Sequence, residues 1–239
     1  MPYLQPVCVF LQKGTLRLFA DWKVSGRENV PPMGPLIIVA NHQSNFDPSL
    51  LTCSIPRTIQ FLAKENIFGN PIARWFLYNY GAFPLDRDGM DVAAYRWARE
   101  RLSHDQALVL FPEGTRNRGS MGPAKSGVTR LALQTQAPIL PVGITGTEHI
   151  GGLLRHFNPT GKLRVNIGTP FSLPVIEGKP DKAVVESLAQ MVMERIAALL
   201  PEEYRGEYRE RLKARREAAG PAAVAVPQKA AGTTLSKEP

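Results

Sequence analysis

The sequence predicts an α/β fold, a single domain with a mainly parallel or mixed central sheet covered by helices. Two observations carry that expectation. Short, continuous apolar runs of the kind found in buried strands occur at 36–40, 59–63, 81–85, 107–111, 139–144 and 163–168. Segments with helical spacing of apolar residues, roughly 48–55, 70–79, 90–103, 125–136 and 181–199, separate several of them. The chain has 239 residues of ordinary globular composition, enough for one sizeable core.

Taken in order, residues 1–30 read as an N-terminal amphipathic segment. Leu4, Val7, Phe10, Leu11, Leu18 and Phe19 recur at approximately helical spacing between Tyr3 and Trp22, with Lys13 and Arg17 among them. An interfacial helix at a membrane and a helix packed on the domain explain this pattern equally. A spanning helix needs roughly 20 mostly apolar residues, and Gln12, Lys13, Arg17 and Asp21 interrupt this one. No basic region and small-residue cleavage site frame it as a signal peptide.

The run Pro31-Pro32-Met33-Gly34-Pro35 breaks regular structure before a domain expected over 31–200. In its last helix, Val184, Leu188, Met191, Val192, Ile196 and Leu199 form the stripe expected to cover the sheet. Residues 201–219, dense in Glu, Arg and Lys, read as a peripheral charged helix, and 220–239 as a disordered Ala/Pro/Gly tail.

The net charge of +8 suits a polyanion, either nucleic acid or an anionic membrane surface. The arginines of 205–216 alternate with glutamates and make a poor phosphate-tracking stripe, so nucleic acid is not the expected partner. Cys8 and Cys53 are the only cysteines; they form no metal or disulfide pattern and point to a reducing compartment. His42, His104, His149 and His156 are scattered without zinc-ligand spacing, so no metal site is expected.

Chemistry concentrates where strands end, the place at which α/β folds build their sites. After the run ending at Ala40 comes Asn41-His42-Gln43-Ser44-Asn45-Phe46-Asp47. A neutral imidazole at His42 can accept a proton near neutral pH, and Asp47 can orient it if the loop is tight. Asp47-Pro48 is equally a helix start, with Asp as N-cap. After the 107–111 run comes Pro112-Glu113-Gly114-Thr115-Arg116-Asn117-Arg118. The Gly114 and Thr115 amides can face an anion, and Arg116 offers a planar fork for phosphate. Glu113 either holds Arg116 or binds a substrate hydroxyl. Arg87 and Lys125 are further candidate cations, each with a surface residue as its plain alternative. Ile150, Leu153 and Leu154, between His149 and His156, read as a loop touching lipid or as a patch packed under the domain, with the packed reading preferred.

In this order NHQSNFD, GAFPLDRD, FPEGTRNR and APILPVGI resemble the four motifs of the 1-acylglycerol-3-phosphate acyltransferase family of glycerolipid synthesis, over residues 36–170. The resemblance implies His42 as general base and Asp47 as its orienting carboxylate. It also implies a phosphate and glycerol site from Arg87, Glu113, Gly114, Thr115, Arg116 and Lys125, and an acyl-donor region at Pro141. Pro84 departs from the branched aliphatic residue usual there, and the segment before the first motif is short. The implied reaction carries a fatty acyl group from acyl-CoA or acyl carrier protein to lysophosphatidic acid at the cytoplasmic face of a membrane, without a cofactor. Acylation of glycerol 3-phosphate or another lysophospholipid is the alternative within the superfamily. A noncatalytic module binding anionic lipid is the alternative outside it.

Overall fold

The computed structural model describes residues 2–86 and 91–219. Arg87, in the second motif, and the 220–239 tail lie outside the described residues. Seven strands form one mixed sheet in the order β1-β7-β6-β2-β5-β3-β4. Strands β2 (Leu36–Ala40), β3 (Ile59–Lys64), β4 (Ala82–Leu85), β5 (Ala107–Leu110) and β6 (Ile139–Thr145) run parallel to one another. Strand β7 (Gly161–Ile167) is antiparallel to β6, and β1 (Ala20–Ser25) lies parallel to β7 at the edge.

Helices cover both faces, which is why the central strands read as continuous apolar runs. Along β2, Leu36, Ile38 and Ala40 enter one core with Leu16, Phe46 and Leu50, while Ile37 and Val39 enter the other with Leu131 and Met193. Helices α1 (Gln5–Phe19), α2 (Asp47–Ser54) and α3 (Pro71–Tyr80) belong to the first side. Helices α4 (Val92–Ser103), α5 (Gly127–Thr135), α6 (Lys182–Ala197) and α7 (Tyr208–Ala219) belong to the second.

Two expectations change. Residues 1–30 are not a segment apart from the domain, because the helix stops at Phe19 and the chain runs directly into β1. Strand β1 alternates half-buried and exposed residues, as an edge strand does, and its charged Asp21 and Lys23 hid it within an amphipathic pattern. The stripe on α6 is also rotated: Val185, Ala189, Val192, Met193, Ile196 and Ala197 are buried, whereas Val184 is exposed. Two alanines in that face let the helix approach the sheet closely.

Helix α1 is docked through few residues. Leu16 enters the core, and buried Gln5 replaces a missing strand partner. Its amide nitrogen donates to the carbonyls of Ile59 (2.7 Å) and Tyr80 (2.8 Å), and its oxygen accepts from the Ile59 amide (3.2 Å). Tyr3, Val7, Phe10, Leu11 and Leu18 remain exposed along the opposite face. Among the described residues no helix is long and apolar enough to cross a membrane. Gln5→Ala leaves three backbone groups to find other partners and is expected to lower stability by about 1–3 kcal/mol, read as the urea midpoint of the full chain.

Candidate active site

The site grows from the loop that follows β2. Asn41 acts as an extra ladder residue: its side chain donates to the Ile144 carbonyl (2.9 Å) and accepts from the Ile144 amide (2.8 Å). The Gln43 side chain donates to the same carbonyl at 2.7 Å. These bonds tie the loop to the end of β6 and force a tight turn between His42 and Asp47.

Asp47 is fully buried at the start of α2. It is not an N-cap, because its carboxylate turns back into the loop rather than toward the helix amides. Oδ2 accepts from the Gln43 amide (2.7 Å), the Ser44 amide (2.8 Å) and His42 Nδ1 (2.8 Å); Oδ1 accepts from the Thr147 hydroxyl (2.6 Å). A carboxylate can only accept, so the His42 proton sits on Nδ1 and the lone pair on Nε2. Phe111 stacks on the imidazole with ring centroids 4.0 Å apart and planes 19° apart. The ring is thus fixed by a hydrogen bond at one nitrogen and an aromatic face against its plane.

The third motif closes on the first through Glu113, which is buried. Its Oε1 accepts from the His42 amide (2.8 Å), and its Oε2 from Asn117 Nδ2 (2.5 Å) and the Gly122 amide (2.7 Å). The Asn117 amide in turn donates to the His42 carbonyl at 2.7 Å. Both backbone polar groups of His42 therefore end on the third motif. This corrects the expectation for Glu113: its buried carboxylate accepts from three protein donors of the two loops and makes no ion pair with Arg116.

Gly114 has a φ of +66°, and the Lys125 side chain lies across it. A Cβ there would meet Lys125 Cδ at 2.6 Å and Nζ at 2.9 Å. His42, Gly114 and Lys125 line one cleft of about 800 Å³ with apolar walls that include Leu62, Leu85, Val109 and Leu131. It runs between α4 and α5, and the chain at Ile176 and Pro180 borders it. Thr115 and Arg116 are exposed and do not line this cleft. Among the described residues neither Lys125 nor Arg116 enters an ion pair. Pro141 is a buried residue of β6 paired with Val39 and bonded through its carbonyl to the Gly168 amide (2.9 Å). It shapes the sheet and does not border the cleft.

Thr147, Asn117 and the Phe111 ring were not singled out from the sequence. Thr147 lies a hundred residues from its partner Asp47, joined to it only by folding. Its one local signal is Gly146, at φ +86°, where a Cβ would stand 2.0 Å from the Lys162 carbonyl oxygen. Only glycine lets β6 end so close to β7 and present Thr147. Burial pushes the Cys53 thiol up to about 12, so it stays a thiol and is no nucleophile.

Burial also raises the Glu113 carboxyl above its ordinary value, against the bonds from the Gly122 and His42 amides and Asn117, and the His42 charge, which lower it. A raised carboxyl favours the protonated form in the folded state. Its contribution is therefore full below the ordinary carboxylate range and is lost as pH rises through the raised value. Glu113→Gln sets an NH₂ against existing donors and is expected to cost about 1–3 kcal/mol. The wild-type advantage in urea should grow as pH falls from neutrality and level off below the ordinary carboxylate range.

An acyltransferase family model matches residues 21–145. A chloroplastic 1-acyl-sn-glycerol-3-phosphate acyltransferase of Brassica napus is 34% identical over 163 residues, covering 64% of this chain and 45% of the relative. One from Bacillus subtilis is 27% identical over 193 residues, covering 80% and 94%. The crystal structure of a 1-acyl-sn-glycerophosphate acyltransferase from Thermotoga maritima superposes with a TM-score of 0.64 at 29% identity, covering 89% of this chain and 80% of that one. The chain spans about half the length of several of the curated relatives it matches. With the family model covering more than half of it and both motifs closing on one imidazole, the chain belongs to the acyltransferase family that includes the 1-acyl-sn-glycerol-3-phosphate acyltransferases.

Proposed function

We propose that the protein transfers a fatty acyl group from a thioester to the free hydroxyl of 1-acylglycerol 3-phosphate, giving phosphatidic acid. One observation carries the reading: a carboxylate-held imidazole and a lysine line the same long apolar cleft. The relatives' names point to the same acceptor. A noncatalytic lipid-binding module has no use for a buried His–Asp pair.

In the proposed step His42 Nε2 removes the proton of the acceptor hydroxyl as that oxygen attacks the thioester carbonyl. The tetrahedral intermediate collapses, the C–S bond breaks, and the sulfur leaves with the proton returned from His42 as a free thiol. Asp47 keeps the imidazole in the reactive tautomer and offsets the charge that forms on it. Lys125, over Gly114, takes the acceptor phosphate inside the cleft, and Arg116 meets it from the exposed side. The apolar walls take acyl chain and exclude water from the thioester. The chemistry draws on no cofactor. Acyl-CoA and acyl carrier protein present the same thioester, so paired assays with each decide the donor.

The exposed apolar face of α1, with Lys13 and Arg17 beside it, is the proposed contact with an anionic bilayer at its cytoplasmic face. The protein is peripheral or monotopic on this reading.

The test is thiol release from an acyl thioester in the presence of lysophosphatidic acid. His42→Ala is expected to lower kcat by about 10²–10⁴-fold. Lys125→Ala is expected to raise the KM for the acceptor by about ten- to a hundredfold, the loss of a charged hydrogen bond, with a smaller change in kcat. An unchanged rate in His42→Ala would remove the proposed base. A glycerol 3-phosphate acceptor preferred over the lysolipid would move the reading to the neighbouring reaction.

A further inference from the structure

The segment after Thr147 is built in two layers. Its inner side closes on the catalytic loop: Ile150 is buried, its carbonyl accepts from the Ser44 hydroxyl, and its amide donates to Thr147. The His156 ring meets Phe46 edge-on, with centroids 5.2 Å apart. Its outer side is the reverse of a folded surface. Leu154 is 83% exposed and Phe157 67% exposed, on the short helical turn Leu153–His156 and the residue after it. This splits the sequence expectation, with Ile150 packed under the domain and Leu154 turned to the outside.

The loop abuts α1, because Gln12 Nε2 of the helix donates to the His156 carbonyl at 3.0 Å. Both segments are basic. Neither 3–20 nor 149–164 contains an aspartate or glutamate, although the whole sequence has 21 of them. The two stretches hold Lys13, Arg17, Arg155, Lys162 and Arg164. Arg164 is neutralised by Asp21, whereas Arg155 rests on the Thr160 hydroxyl at 3.1 Å and keeps its charge. Exposed apolar tips in a basic surround match an anionic bilayer, where apolar side chains enter the interface and cations meet the headgroups. A second protein surface would need to supply acidic partners to the same patch.

We propose that the 149–157 loop is a second lipid-contact arm, which with α1 seats an anionic membrane directly beside the His42–Asp47 loop. Helix α1 alone would tether the protein to a bilayer. The loop, whose inner side holds Ser44 and Phe46 and whose first turn holds Asp47 through Thr147, fixes the tethered orientation so that the lipid surface adjoins the catalytic loop. The proposal rests on the acyl-transfer reading only in taking the membrane as the source of acceptor, and vesicle binding requires no turnover.

The test uses the full chain and vesicles of phosphatidylcholine with or without phosphatidylglycerol. Leu154→Ser with Phe157→Ser is compared with wild type and with Phe10→Ser plus Leu11→Ser. Both positions of the loop variant are exposed, so its urea midpoint should match wild type. Its partitioning onto anionic vesicles is expected to fall about tenfold, as for two apolar side chains that lose part of their burial. Its rate on vesicle-borne acceptor should fall in step, while kcat on a water-dispersed short-chain acceptor stays at the wild-type value. A loop variant that floats on anionic vesicles like wild type overturns the proposal. So does a fall in sedimenting mass in lipid-free buffer, which would make the patch a self-association surface. Reduced flotation in a protein with no acyl transfer from either donor would support the lipid arm and sink the acyl-transfer reading instead.

Discussion

A carboxylate without access to water must find all its donors inside the protein, and Asp47 finds four: two amides, an imidazole and a hydroxyl. Each comes from a different constraint. The Gln43 and Ser44 amides require the loop after β2 to curl within a few residues. The Thr147 hydroxyl requires β6 to end beside it at a glycine that no other residue can replace without clash. The imidazole is the one donor of the four whose other end is free to do chemistry. Removing the carboxylate would leave several buried donors unmatched at once, which is why such groups are rarely isolated substitutions in a fold.

Much of this was legible before any coordinates. Strands β2, β5 and β6 are buried on both faces, and residues with no solvent side give continuous apolar runs that need no periodicity to be seen. Strand β1 was hidden for the opposite reason: at the sheet's edge its exposed positions carry Asp21 and Lys23, and half-burial over six residues blends into helical spacing. Residue type and short separation allowed the pairing of His42 with Asp47 beside a helix start at Asp47, and the resemblance selected it. The task of Glu113 could not be inferred, because a glutamate beside an arginine suggests a local ion pair. Its partners lie 71 residues upstream at His42 and 4 and 9 downstream at Asn117 and Gly122. Chain-distant hydrogen bonds leave no local pattern. The same holds for Thr147.

The sheet separates two kinds of surface. On the side of α4 and α5 the helices stand apart and leave a cleft with apolar walls and a cationic floor. On the side of α1 the helix buries little of itself and shows its apolar residues outward. A soluble globular domain minimises both features, since each leaves apolar area in water. Both features fit the occupants proposed above, an acyl chain in the cleft and a lipid surface against α1. The catalytic loop at the carboxyl ends of the strands is the one place that touches both.

The absence of any loop between α1 and β1 has a mechanical side. Phe19 ends the helix and Ala20 opens the strand, and from there six residue pairs, Ala20 with Gly161 through Ser25 with Asn166, hold the edge in parallel register. Drag on the helix along its axis is delivered straight into that strand, with no slack segment to absorb it. If the pull runs along the strand, the interstrand bonds are loaded in shear and share the load instead of opening one at a time. A helix with only two buried residues is thereby backed by a joint that resists being unzipped.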